Sequence, residues 1–343
     1  MSRYDERYEI RLANVNDIEA IMDFIDKEWK KDHVLATSRE LFEYEFLEEN
    51  GDVNFIIAID RESKQIAAII GFLKASHDEE NMDIWGSIWK VTNDALPLLG
   101  VEIIKRKMQI TSCRNDITVG SSDVATKLYK TALRRHVDTM KHYYRLADRD
   151  ANAFVIATVN NKTCANVDAP AKKGKVRLLN NIEELQACYA LTKNKLTVPY
   201  KDVWYINHRY FNHIAYKYNV CAIEVDDVVE AIFIYRIQRY QGKNAIRIMD
   251  YIGNQMAFGT IKEYFDELLA DPDNEYIDFY CLGMDEIYLN QAGFVKRDEN
   301  DSNIIPNYFS PFVSKNIDIV VNSTDPNTMY FKADADQDRP NKL

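Results

Sequence analysis

The two halves of this chain repeat each other in the same order. Ile18–Phe24 (IEAIMDF) matches Ile182–Cys188 (IEELQAC) at an offset of 164 residues, and Asn54–Asp60 (NFIIAID) matches Asn219–Val225 (NVCAIEV) at 165. Ala67–Phe72 (AAIIGF) matches Ala231–Arg236 (AIFIYR) at 164, and Ile117–Gly120 (ITVG) matches Ile277–Tyr280 (IDFY) at 160. Solenoid units run about 20–50 residues, so a period this long predicts two copies of one α/β domain. A polar stretch at Asn160–Lys175, carrying Pro170 and Gly174, separates them. The predicted division is a first domain over 1–159, a linker over 160–175 and a second domain over 176–343. At 343 residues each copy has room for its own core.

Composition narrows the function classes. A net charge of −11 disfavours general affinity for nucleic acid, whose phosphates attract basic surfaces. No apolar run of eighteen residues is present, which excludes a membrane-spanning helix, and MSRYDERYEI has no apolar signal region. Cys113, Cys164, Cys188, Cys221 and Cys281 are odd in number and form no CxxC pair, a pattern that fits a reducing cytoplasm and no structural metal. The tail Asp334–Asp338 imitates the start of a calcium loop, but Arg339 stands where such a loop needs glycine, so no metal is expected there. The Walker, dinucleotide-binding, nucleophile-elbow and HExxH motifs are all missing.

Within the first copy the pattern predicts a strand at Tyr8–Leu12 and a helix capped by Asn16, with Ile18, Ile21, Met22 and Ile25 on one face. A second helix follows Ser38, then a hairpin of Phe55–Ile59 and Gln65–Lys74, a strand at Asp83–Val91, a helix after Pro97, and a strand at Asp116–Gly120. Ser122–Leu133 is predicted helical, and Val137–Leu146 is an extended exit from the first copy. The second copy repeats this order, and Ile317–Val321 with Met329–Lys332 is expected to close its sheet as a hairpin.

This doubled order, together with two motifs, resembles the GNAT superfamily of acyl-CoA-dependent N-acyltransferases. In that family a glycine-rich turn, Arg/Gln-x-x-Gly-x-Gly/Ala, opens the helix after the central strand, and its N–H groups hold the CoA pyrophosphate. Here that segment is Ala95–Gly100, with Leu98 at the first glycine and only Gly100 matching. The second copy offers Gln255–Gly259, again with one glycine. The family's last helix, Asn-x-x-Ala-x-x-Leu-Tyr, matches Ser122–Tyr129 at Ala125, Leu128 and Tyr129. The second copy has Leu289 at the tyrosine position.

The resemblance implies a mixed-sheet α/β fold in two tandem GNAT-like domains, with acyl-CoA as co-substrate. It implies a cofactor site at Val91, Leu98, Leu99, Gly100 and Val101, a strand N–H near Val91 for the oxyanion, and Tyr129 as acid for the departing thiolate. Asp83, at the start of a central strand, and His142 are the base candidates; the alternatives are a solvated aspartate and an ordinary exit-strand histidine. Asp250, inside the apolar strand that also carries Arg247, must be paired, shifted or cleft-facing. The cluster of Trp204, Tyr205, His208, Arg209, Tyr210, His213 and Tyr216 suits a sugar or a nucleotide, or else packs as an aromatic helix. Trp204, Arg209, Arg247 and Asp250 are the substrate-binding candidates. Two-copy relatives point by analogy to a nucleotide-linked amino sugar of surface polysaccharide synthesis as acceptor. Two rivals remain open: a Fem-type aminoacyl transferase, and a non-catalytic binding protein with decayed CoA sites.

Overall fold

The computed structural model describes residues 2–165 and 167–343. The chain forms two compact units. The first holds the chain up to Val137 together with Val321–Pro326 and Ala335–Leu343, and the second holds Asp138–Val320 and Asn327–Asp334. The division falls between Val137 and Asp138, where the sequence reading set it at 159, and the C-terminal stretch is shared out between the units.

In the first unit, β1 (Tyr8–Asn14), β2 (Asp52–Asp60), β3 (Ile66–Lys74) and β4 (Asp83–Val91) form an antiparallel meander, and β5 (Asn115–Val119) joins β4 in parallel. The sheet is covered on both faces, so its strands are continuous apolar runs rather than alternating ones. On β2, Phe55 and Ile57 face Ile18, Ile21, Phe42 and Phe46, whose spacing gives those helices one apolar side. Ile56 and Ala58 face the other way, toward Leu99, Ile103 and Ile104 of the helix Leu99–Thr111 and Tyr129 of the helix Asp123–Thr131. A short strand, β6 (His136–Thr139), lies at the sheet edge.

Strand β7 (Lys141–Leu146) opens the second unit's part of the chain. There β8 (Lys175–Leu179), β9 (Asn219–Val225), β10 (Val228–Tyr240) and β11 (Lys243–Gly253) form the same meander, and β12 (Asn274–Leu282) joins β11 in parallel. Ile246, Ile248 and Phe279 pack against Phe258, Phe265 and Leu289 on one face. The outer strand is β13 (Val295–Lys296), and β14 (Tyr308–Phe309) pairs with β15 (Phe312–Val313) as a separate hairpin.

The strand orders of the two sheets correspond, which the collinear offsets anticipated, but the sixth strands are exchanged. The place beside β12 is taken by β7, from the first half of the sequence, and the place beside β5 is taken by β16 (Val320–Ser323), from its C-terminal end. This corrects two sequence expectations. Lys141–Leu146 is not an exit strand of the first copy, and the C-terminal strands do not form a hairpin. Val321–Ser323 pairs with β5, whereas β17 (Tyr330–Phe331) pairs with β12. Both segments alternate as any strand does, and alternation does not name the partner. No helix among the described residues is long and apolar enough to cross a membrane.

Candidate active site

In each sheet the parallel pair comes apart part-way along. β4 pairs with β5 from Asp83 to Gly86, then continues to Val91 beside β3 alone, with Ser87 and Ile88 bulged opposite Gly71. β11 pairs with β12 as far as Ile248, then continues to Gly253 beside β10 alone, with Met249 bulged. A bulge bends its strand and re-aims the next side chains, so each sheet acquires a cleft between two diverging strands.

The cleft of the second unit holds ionisable groups. Asp250, the residue after the bulge, is fully buried. Its carboxylate accepts Lys201 Nζ on both oxygens at 2.7 Å, the Tyr251 N–H at 2.8 Å and the Tyr210 hydroxyl. Lys201 also reaches Asp334 at 2.7 Å, and Asp334 accepts the Phe331 N–H at 2.8 Å. One ammonium thus serves two buried carboxylates. Burial, with the charge of Asp250 adding to it, pushes the Asp334 carboxyl up to about 6 against the pull of Lys201. Burial likewise pushes the Tyr210 phenol well up, so it stays a neutral donor to Asp250. Beside this cluster lies a cavity of about 120 Å³, lined by Lys201, Tyr251, Gly253, Gln255, Met329 and Phe331 among others.

Of the substrate-binding candidates, Arg209 joins this cluster indirectly, donating to the Ala333 carbonyl at 3.1 Å. Trp204 lies on the same stretch, half-buried and stacked on His208 with ring centroids 5.3 Å apart. Arg247 is committed elsewhere. Its guanidinium holds Asp278 at 2.7–3.1 Å and the carbonyls of Pro306 and Asn307. His142 sits on β7 of the second unit, its Nε2–H donating to the Asp278 carboxylate at 3.1 Å and its ring stacked on Tyr280 at 3.8 Å. Burial lowers its pKa against the pull of Asp278, and the ring is enclosed. His142 was expected on the exit strand of the first copy; the exchange of β7 takes it out of that unit. Lys201 was missed altogether, because it lies in a loop with no periodicity to expose it.

In the first unit Tyr129, Val91, Leu99 and Gly100 gather around Trp89, but Asp83 does not join them. Asp83 is buried at the far end of β4 and bound bidentately by Arg114, one contact at 2.9 Å. It stands three residues, or about 10 Å, before the strands part, so its placement corrects the base assignment. Tyr129 is 4% exposed, with its ring 5.8 Å from that of Trp89 and the Arg135 guanidinium 4.8 Å above it. Burial raises its pKa.

At the start of the helix Leu99–Thr111, the Leu99 N–H bonds the Leu96 carbonyl and the Val101 N–H bonds the Leu98 carbonyl, which takes two of the expected anion donors. A Cβ on Gly100 would meet the Trp89 ring at 2.9 Å, so this glycine serves close packing beside Val91 as well. Leu98, at the position of the motif's first glycine, has φ +67° and is 62% exposed. A leucine in the left-handed region costs about 1–2 kcal/mol, and glycine returns part of that gain through unfolded-chain entropy. Leu98→Gly should therefore stabilise the protein by about 0.5–1 kcal/mol in urea unfolding; a destabilised variant would contradict this backbone geometry.

The chain matches no protein-family profile and no curated protein. Its fold is found in solved structures. A probable N-acyltransferase from Enterococcus faecalis aligns with a TM-score of 0.53 at 8% identity, over 92% of this chain and 71% of that one. A GCN5-related N-acetyltransferase from Anabaena variabilis aligns with a TM-score of 0.52 at 10% identity, over 92% and 72%. The fold is therefore GNAT-like, in two tandem sheets.

Proposed function

We propose that the protein transfers an acyl group from acyl-CoA to the amino group of a small molecule, and that the second unit holds the reacting groups. The observation that carries this reading is Asp250, a buried carboxylate placed just beyond the bulge where β11 leaves β12, whose partner Lys201 and neighbour Tyr251 line a cavity. A carboxylate at such a place is a candidate base, and Lys201 and Tyr210 orient it. Asp250 takes a proton from the acceptor amine, and the amine nitrogen forms the C–N bond at the thioester carbonyl. The C–S bond breaks, CoA leaves as thiolate, and water protonates it. The acceptor proposed is a nucleotide-linked amino sugar, with the Trp204–His208 stack as the surface for its base. The test is release of free CoA from acetyl-CoA with a panel of amines, including nucleotide-linked amino sugars; release above the hydrolysis blank with an amine is expected, and none with any amine overturns the reading.

A second reading, a non-catalytic binding protein, is favoured by how the same cleft is tied. Gln255, two residues past the end of β11, donates to the Gly283 carbonyl at 3.1 Å and accepts the Asp285 N–H at 2.8 Å across the mouth beyond β12. Under this reading amines bind and shift the melting temperature, but no thiol appears.

A further inference from the structure

The C-terminal stretch Met329–Arg339 takes part in both clefts and interleaves charged side chains with the buried Tyr330, Phe331, Ala333 and Ala335. Lys332, Asp334 and Asp338 are buried, and Asp336, Gln337 and Arg339 are partly so. Within the second unit, Phe331 stacks on Phe279 with centroids 5.9 Å apart, β17 pairs with Cys281 and Leu282, and the Ala333 N–H bonds the Met249 carbonyl at 2.9 Å. Those partners are the diverging strands themselves: Met249 on β11, Phe279 to Leu282 on β12. Within the first unit, Asp336 accepts from the Ser87 hydroxyl at 3.1 Å, and Gln337 Nε2 donates to the Val119 carbonyl at 3.1 Å. Arg339 binds Glu45 at 2.6–3.1 Å and Ser87 at 2.9 Å. Ser87 is in the β4 bulge and Val119 ends β5, so this half lies where those strands part. A Cβ on Gly120 would fall 2.2 Å from the Gln337 amide, so the backbone is open there to accept it.

A polar segment in a cleft differs from an apolar one in what holds it. The part-buried hydrogen bonds of Asp336, Gln337 and Arg339 exchange against water or a polar ligand with little net difference, whereas buried hydrocarbon such as Phe331 and the buried Lys201–Asp334 pair do not. Ala335, at the junction of the two halves, has φ +56°, a backbone state alanine adopts only while neighbouring contacts impose it. We infer that Met329–Arg339 is a displaceable strap, seated in both clefts in this state, that withdraws to admit their ligands. This goes beyond the acyl-transfer reading and does not require it. Segments of this kind open locally at a lower free energy than the strands around them.

The test is native-state hydrogen exchange on the full chain without ligand. The amides of Ala333, Asp334 and Arg339, each hydrogen-bonded within the chain, should exchange at least about tenfold faster than those of β4, β5, β11 and β12. Arg339→Ala should speed exchange over Ala335–Arg339 further, and Asp334→Ala over Phe331–Asp334, with the strands unchanged. Exchange of the strap at the rate of the strands, in the wild type and both variants, would make it an integral part of each sheet and overturn the inference. Acyl transfer is scored separately: a fast-exchanging strap with no CoA release overturns the chemistry and leaves the strap standing. Turnover with a strand-slow strap does the reverse.

Discussion

Lys201→Met should lower the unfolding free energy by about 3–5 kcal/mol at pH 8, because it removes a cation that bridges two buried carboxylates. Methionine fills the same stem volume, so the loss is electrostatic and not a cavity. The effect should shrink toward pH 5. Asp334 has its pKa raised, to about 6, above the unfolded value of 3.8. A carboxyl whose folded pKa is raised favours the folded state fully below its unfolded pKa, and that contribution is lost as pH rises through the folded pKa. At pH 5 Asp334 is largely protonated in the folded protein, so removing Lys201 strands one charge fewer than at pH 8. Lys201 itself, raised by Asp250 and Asp334 against burial, stays charged across this range. Tyr205, Tyr210 and Arg209 also face the cluster, and the phenols remain neutral throughout. Urea unfolding of wild type and variant at both pH values decides the matter. A difference below about 1 kcal/mol at pH 8, or one independent of pH, would show that the cluster is hydrated rather than buried.

The second large effect is on rate. Asp250→Asn keeps the side-chain shape and one acceptor oxygen for Lys201 or Tyr210, but it cannot take a proton. If Asp250 is the base, kcat for acyl transfer should fall by about 10²–10⁴, the usual worth of a positioned general base, with little change in KM for acyl-CoA. The loss should diminish as pH rises and more of the acceptor amine is already deprotonated. Turnover equal to the wild type, with an unchanged melting temperature, would reduce Asp250 to a structural partner of Lys201.

Much of the architecture could be inferred from local patterns. The apolar runs at Phe55–Ala58 and Ile69–Phe72 are strands because sheets covered on both faces leave no polar side, and near-constant offsets carried the duplication. Asp250 stood out for the same reason: a carboxylate in such a run needs partners, and it has Lys201, Tyr210 and the Tyr251 N–H. What local patterns could not give was pairing between distant segments. Lys141–Leu146 and Val320–Ser323 have strand character whichever sheet receives them, so the exchange of sixth strands, and with it the true place of His142, was invisible. The tail read as a failed calcium loop. Its aspartates and Gln337 are polar because they bond strand ends and bulges inside the units. Tyr129 matched a motif, and within the first unit it packs against Trp89 and Arg135.

The most direct test of the central claim is the footprint of acetyl-CoA in hydrogen exchange on the intact protein. Binding at the second cleft should slow exchange at Met249–Gly253 and at the turn Asn254–Met256, and Asp250→Asn should bind as tightly while failing to turn over. A footprint at Leu96–Val101 instead would place the cofactor in the first unit, and no footprint at millimolar acetyl-CoA would contradict acyl-CoA use altogether.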